Sequence, residues 1–353
     1  MIGIHPRAGS FSDRWIESCQ QQAIPHKLVN CLQSDVIAQC AGLRAVLWHW
    51  SLNDPRELLC ARQIAAALKE TGIVFFPNFE TCWHYDDKIA QKYLLEAIGA
   101  PLIPTWVLTD RAAAEAWIES ATWPKVFKLR CGAGSSNVRL IRSHSEAAGL
   151  CRQAFGRGFP AEMIRADAVQ KYMRAGLKAR DVPRRLWRLV RKAFLRVFGP
   201  EEFGRQRGYL YFQEFMADNP FDTRVTVIGG RAFAFTRENR PGDFRASGSG
   251  RLCYDAAKID PRCVQIAFQV TRRLRAQSLA FDFLFDAAGR PVIGEISYCY
   301  MAGAVHDCPG HWDEQMNWRP GQVWPQDAIL EDVCAAAGIG HKEPVATEAI
   351  LAR

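Results

Sequence analysis

The chain reads as an α/β protein with more than one lobe, on three observations. Residues 1 to about 80 alternate short apolar strands with helical stretches. Residues 124–141 form an apolar strand carrying a lysine, a small-residue loop and a return strand. Two later apolar runs each enclose a single acid. At 353 residues, with 48% apolar and 11% aromatic content, the chain is long enough for about two or three domains around a substantial core.

The N-terminal elements are expected in the order Ile2-Gly3-Ile4, a helix around Asp13 to Ala23, a strand from Lys27 to Cys31, and a short helix from Ser34 to Cys40. The strand Ala45 to Trp48, a helix from Pro55 to Lys69 and the strand Ile73 to Phe76 follow. This is the βαβ rhythm of a parallel sheet covered by helices. No GxGxxG follows the first strand, which argues against a dinucleotide site. His49, Trp50 and Ser51 follow the third strand, where open α/β sheets face their ligand crevice, so they are read as substrate-facing or as packing at the sheet edge.

The stretch Pro124 to Ile141 carries the most chemistry. Lys128 precedes Gly132, Gly134, Ser135 and Ser136, whose small side chains let backbone N–H groups approach phosphate oxygens, and Val138 to Ile141 closes a hairpin. It is not a Walker loop, because the lysine comes before the glycines and a strand follows them. A solvent-facing lysine on an ordinary Gly/Ser turn is the competing reading.

Upstream, Asp87-Lys88 opens a helical run ending at Gly99, followed by the linker Ala100 to Thr105. Downstream come Tyr209 to Met216, Asp222 to Ala232, Arg237, Gly242-Asp243-Phe244-Arg245, Phe281-Asp282-Phe283 and Ile293 to Ser297. In that order these segments resemble the ATP-grasp ligases, the superfamily of glutathione synthetase, D-alanine-D-alanine ligase and the ribosomal-protein glutamate ligase. The resemblance spans roughly residues 75–335, interrupted near 155–207. It implies a parallel α/β domain over 1–85, a central lobe over 86–208 with a lid hairpin and a basic insertion, a C-terminal lobe over 209–340 with the metal site, and a tail over 341–353. The two lobes would clasp ATP.

The resemblance also implies roles. Lys88 and Lys128 look like the two lysines that reach the ATP phosphates, and the Gly132–Asn137 loop looks like their flexible cover. Glu214, Phe215 and Met216 sit where the family's hinge strand binds adenine, and Asp222 resembles the ribose-binding acid, although the chain is about one residue shorter here than the glutamate-ligase pattern. Arg224, Arg237 and Arg245 would converge on anionic oxygens, which planar guanidinium forks suit, with a surface salt bridge as the competing reading for each. Arg245 is the one placed at the transferred phosphate. Asp282 and Glu295 would hold Mg²⁺, with Mn²⁺ as the alternative; each sits in a strand-like apolar run where a bare acid is costly without a compensating cation. The family usually has asparagine two residues after the glutamate, and Ser297 stands there instead as a weaker third ligand.

Residues 178–207 carry ten Lys/Arg against three acids, and so hold most of the formal net charge of +8. Between Val182 and Phe198 the apolar positions recur at helical spacing, which describes a basic amphipathic helix. It is read as lying on an anionic membrane surface, binding a polyanion, or packing on its own protein with a solvated basic face. No aromatic signature of RNA binding accompanies it, so nucleic acid is not favoured.

The segment Ser297 to Asp313 is rich in metal-capable side chains, but His306, Asp307, Cys308 and His311 match no established zinc spacing, and it is read as the wall beside the γ-phosphate or as a buried aromatic-rich loop. The twelve cysteines are scattered and include no CxxC, so they are expected to be reduced. The N-terminal residues show no signal pattern and no apolar run reaches membrane-span length, so a cytoplasmic protein is expected, with the 182–198 helix as its route to the inner face of the membrane.

The expected activity is ATP-dependent joining of a carboxylate to an amine, or to a thiol, through an acylphosphate with release of ADP and phosphate. A kinase-like phosphotransferase and a non-catalytic ATP-binding scaffold are the alternatives, the latter suggested by Ser297. A basic, aromatic-lined cleft points to small-molecule, glycan or peptide substrates of acidic character, such as a uronic-acid glycan.

Overall fold

The computed structural model describes residues 1–52, 54–132, 137–160 and 205–339. The N-terminal stretch forms β1 (Ile2–Ile4), α1 (Phe11–Gln21), β2 (His26–Leu28), α2 (Val36–Cys40), β3 (Ala45–Leu47), α3 (Pro55–Lys69) and β4 (Val74–Phe76). Its strands pair in parallel in the order β2-β1-β3-β4, as the alternation predicts. Three-residue strands persist because β1 and β3 are buried throughout. Side-chain caps start α1 and α3. The Ser10 hydroxyl accepts from Ser12 N at α1, and Asp54 accepts from Arg56 N at α3, where Pro55 fills the first turn at no cost in hydrogen bonds.

After α4 (Phe79–Cys82) and α5 (Lys88–Ala97) come β5 (Thr105–Leu108), α6 (Arg111–Ser120), β6 (Lys125–Lys128), β7 (Val138–Ile141), α7 (His144–Ala154), the short pair β8 (Phe159–Pro160) and β9 (Arg205–Gln206), and β10 (Leu210–Glu214). These give an antiparallel sheet in the order β5-β10-β6-β7, with β6 and β7 forming the expected hairpin, Lys128 opposite Val138. The third sheet is built from β11 (Phe221–Ile228), β12 (Arg231–Glu238), β13 (Leu252–Cys253), β14 (Ser278–Phe285), β15 (Pro291–Ser297), β16 (Gly310–Asp313) and β17 (Trp318–Pro320). It runs β15-β14-β11-β12-β16-β17, with β13 also on β12, and carries α8 (Pro261–Leu274), α9 (Ala302–His306) and α10 (Pro325–Ala336).

The cores do not follow the expected segment boundaries. One apolar cluster joins Val46, Trp48 and Phe75 to Val225, Val264, Phe281 and Ile296, and a second joins Ile2, Ile4 and Trp15 to Phe233, Ile329 and Val333. The N-terminal sheet therefore shares its core with the C-terminal one. The central sheet has its own core, which includes Ala114, Ile118, Phe127, Leu150, Leu210 and Phe212. Strand β10 lies past the expected boundary at 208/209, yet it pairs with β5 and β6, so the central sheet extends to Glu214. The linker 101–104 ties the two bodies together: Ile293 N donates to Pro101 O, Ile103 N to Ile293 O and Glu214 N to Pro104 O, at 2.7, 3.1 and 2.8 Å.

The expected basic helix over 182–198 and the tail over 341–353 lie outside the described residues. Among the described residues no helix is long and apolar enough to cross a membrane, and all twelve cysteines are free.

Candidate functional site

A cavity of about 1150 Å³ lies between the central sheet and the β15-β14-β11-β12 face. Lys88, Lys128, Gly132, Glu214, Phe215, Met216, Asp222, Arg224, Arg237, Arg245, Asp282, Glu295 and Ser297 all line it. Gly134, Ser135 and Ser136 lie outside the described residues.

Two lysines enter from the central side. Lys88 opens α5, whose cap is Asp87 accepting from Ala90 N at 3.0 Å. Its ammonium donates to Gly132 O at 2.7 Å and meets Glu295 Oε1 at 3.0 Å. Burial works against its charge, but Glu295 and Asp86 outweigh that and hold its pKa above the ordinary value. Lys128 donates to Gln213 Oε1 at 2.6 Å. Here burial wins, aided by the nearby Lys88 ammonium and opposed by Glu295, and the pKa falls to about 8. Beside them burial raises Asp86 to about 6 against the pull of Lys88, and the Asp86 carboxylate accepts from Gly132 N.

At the hinge, the Glu214 side chain is held by Lys125 Nζ at 3.0 Å, and Phe215 meets Phe244 edge-on with ring centres 5.7 Å apart. Asn219 fixes the turn after β10 by donating to Phe285 O at 2.9 Å and accepting from Phe285 N at 2.8 Å.

On the opposite wall, strand register sets the charges side by side. Asp282 pairs with Glu295 across β14 and β15, next to an irregularity at Asp282/Phe283. Arg224 lies opposite Asp282 on β11 and grips it through Nε and Nη2 at 2.7 and 2.8 Å. Arg237 reaches the same carboxylate at 2.8 Å and also clamps Asp222 through two bonds of 2.7 and 2.5 Å. Burial alone would raise the Asp282 carboxyl, but the two guanidinium groups outweigh it and hold the pKa well below the carboxylate range. In Asp222 burial prevails over Arg237 and the shift is upward.

Several expectations change at this wall. Each Asp222 oxygen accepts from Arg237, so the acid expected to bind ribose also anchors that arginine at the cavity wall. Arg245 lines the cavity but folds onto Asp243, with Nε at 3.0 Å from Oδ1. The Ser297 hydroxyl donates to Cys299 O at 2.9 Å and accepts from Cys299 N at 3.1 Å, so it closes a turn. His49 is buried and stacked on Phe11 at 4.0 Å, with its pKa lowered to about 3 by burial, and Trp50 lies wholly in the core; neither lines the cavity. His306 stacks on Trp324 at 3.9 Å and the Cys308 thiol faces Ala234 O, so the 306–311 residues do not converge on a zinc site. Tyr300 and Met301 of that segment do line the cavity.

Asp282 and Glu295 suit magnesium in one particular way. Among the described residues no group of three or more His, Cys, Asp or Glu is placed to hold a metal ion. Mg²⁺ is ordinarily bound through one or two carboxylates plus substrate phosphates and water rather than by an all-protein cage, and the paired acids fit that pattern.

Sequence reading missed Asp86, Lys125, Gln213 and Asn219. A glutamine inside the aromatic run Tyr211-Phe212-Gln213 was a signal, since a buried amide needs a partner. Nor is the cleft basic: among the described residues five cationic side chains line it against five acidic ones, Glu214, Asp218, Asp222, Asp282 and Glu295.

The fold is that of the ATP-grasp superfamily. The chain is similar to the biotin carboxylase domain of the Hydrogenobacter thermophilus 2-oxoglutarate carboxylase, solved with MgADP, ADP and bicarbonate, at TM-score 0.56 and 15% identity over 96% of this chain and 69% of that one. It is also similar to a RimK domain ATP-grasp protein of Sphaerobacter thermophilus, at TM-score 0.53 and 15% identity over 94% and 98% of the two chains. D-cycloserine synthetase matches at TM-score 0.56 and 15% identity over 94% and 99%. No protein-family model and no curated protein matches the chain.

Proposed function

We propose that the chain is an ATP-dependent ligase that joins a carboxylate to an amine. The observation that carries this reading is the convergence, on one cavity of an ATP-grasp fold, of Lys88 and Lys128 from one side and the Asp282–Glu295 pair from the other. Lys88 and Lys128 would hold the ATP phosphates, Glu214 to Met216 the adenine, and Asp282 with Glu295 the magnesium, which supplies charge neutralisation at the phosphates. The neighbour solved with MgADP supports ATP and Mg²⁺ as the ligands.

In this reading a substrate carboxylate attacks the γ-phosphorus in line. The bond from that phosphorus to the bridging oxygen breaks, ADP leaves, and an acylphosphate forms. An amine then attacks the acyl carbon and phosphate departs as the amide forms. No protein nucleophile is needed; the chain contributes positioning and cationic stabilisation from Lys88 and Lys128, while Arg224, Arg237 and Arg245 are paired with Asp282, Asp222 and Asp243. The test is ADP release that requires carboxylate and amine together.

A second reading, an ATP-binding scaffold without turnover, is favoured by two contacts: Ser297 is engaged with Cys299, and Asp282 is neutralised by two arginines. Nucleotide binding with no ADP release on any carboxylate and amine would select it.

A further inference from the structure

We infer that the second substrate in this cavity is a monocarboxylate with an apolar body, not an acidic glycan or peptide; this rests on the ligase reading for which end of the substrate reacts.

Charge comes first. The five cationic and five acidic side chains on the described walls cancel, and Arg224 and Arg237 are already committed to Asp282 and Asp222. ATP with its magnesium brings further negative charge to the lysine end, so a dicarboxylate would add anionic charge with no arginine free of an acid on that wall to receive it.

The shape of the wall points the same way. Beyond Arg237 the lining turns apolar: Phe235 on β12, Leu252 on β13, then Tyr300, Met301, Ala304 and Val305. These positions form one continuous surface. Leu252 is the cross-strand partner of Arg237, and Phe235, Tyr300, Ala304 and Val305 belong to a single apolar cluster. Leu252 and Met301 are 37% and 75% exposed, and both line the cavity. The volume of about 1150 Å³ exceeds the usual range of roughly 300–1000 Å³ for a single small-ligand site, so a second molecule has room beside a nucleotide.

The experiment measures binding and turnover separately. Calorimetry of butanoate, hexanoate and 3-phenylpropanoate against succinate and adipate is run on the full chain with Mg²⁺ and a non-hydrolysable ATP analogue. The same acids are then supplied with ATP and hydroxylamine, and hydroxamate is read out. Affinity is expected to rise by about fourfold per buried methylene along the aliphatic series, with hexanoate well ahead of adipate. Met301→Arg and Leu252→Asn, both at exposed positions where folding is not at stake, should each shrink that lead by about fivefold or more. Adipate binding as tightly as hexanoate overturns the inference, as does an apolar preference that neither substitution changes. An apolar preference that responds to both substitutions, without hydroxamate from any acid, upholds this substrate class and overturns the ligase reading instead.

Discussion

Asp282 and Glu295 face each other across β14 and β15, and each is claimed by a different cation, Asp282 by Arg224 and Glu295 by Lys88. The two acids thus stand at the meeting of two charge networks. A magnesium ion entering between them would compete with Lys88 on one side and with Arg224 and Arg237 on the other, which couples metal binding to the positions of all three.

The first prediction concerns that pair. Glu295→Gln keeps the shape and removes the charge, so ADP release should fall by about 100-fold or more, the scale seen when one electrostatic stabiliser is lost. Nucleotide should still bind without metal, because the hinge contacts are untouched, although Lys88 loses its carboxylate partner and Lys128 a charge that raises its pKa. Near wild-type turnover in a steady-state assay of ADP release would show that Glu295 does not serve the metal.

The second uses Lys128. With a folded pKa of about 8 against an ordinary 10.5, the lysine is largely neutral in the free protein at pH 8.5, and polyphosphate should recharge it. Nucleotide binding at that pH is therefore expected to take up roughly three-quarters of a proton. Affinity should weaken as pH rises from about 8 toward 10. Calorimetry in buffers of different ionisation enthalpy reads the uptake directly, and Lys128→Arg should abolish it while keeping affinity. Equal proton uptake in the arginine variant would place the titrating group elsewhere.

Much of this site was legible in the sequence because its residues sit in short, ordered segments. A lysine before Gly132, an acid inside Phe281-Asp282-Phe283 and another inside Ile293 to Ile296 each break a local pattern. What stayed hidden depends on pairing between distant strands. Asp222 and Arg237 meet only because β11 and β12 run antiparallel in one register, and Arg224 meets Asp282 across 58 positions of chain. An arginine read alone looks ready for phosphate; read with its register partner, it is already committed. The shared core of the N- and C-terminal sheets was hidden for the same reason, since periodicity says which face is apolar and not what covers it.

The third prediction tests that commitment. Removing Arg237 leaves Asp282 with Arg224 but leaves the buried Asp222 carboxylate without its cation. Arg237→Met should lower stability by roughly 3–5 kcal/mol in urea unfolding. Adding Asp222→Asn to it should recover a good part of the loss. Two substitutions whose effects simply add would show that the pair is not coupled.

The fourth prediction concerns the basic run around Arg184, Arg185, Arg188 and Arg191. If it lies on an anionic surface, co-sedimentation with phosphatidylserine vesicles should weaken steeply with salt, since exposed charges are screened within about 8 Å at physiological ionic strength. Replacing those four arginines with glutamine should abolish it and leave nucleotide binding intact. A protein that stays in the supernatant at low salt and also ignores acidic glycans has a solvated basic face only.

The last prediction separates the ligase from the scaffold at Ser297. The Ser297 hydroxyl spends both its donor and one acceptor on Cys299, so it offers a metal only a remaining lone pair at the end of a short side chain. Ser297→Asn supplies a longer amide oxygen at the position where the resembled family carries one, and in a working ligase it should lower the Mg²⁺ concentration for half-maximal ADP release by about threefold or more. Ser297→Ala controls for the turn: it removes the hydroxyl without adding a ligand and should raise that concentration only slightly. If ADP release follows the same Mg²⁺ curve in all three proteins, position 297 lies outside the metal's coordination and the Asp282–Glu295 pair acts with phosphate and water alone. If none of the three releases ADP while all bind nucleotide, the Asp282 carboxylate gripped by Arg224 and Arg237 is a structural element, and the cavity belongs to a nucleotide-binding scaffold.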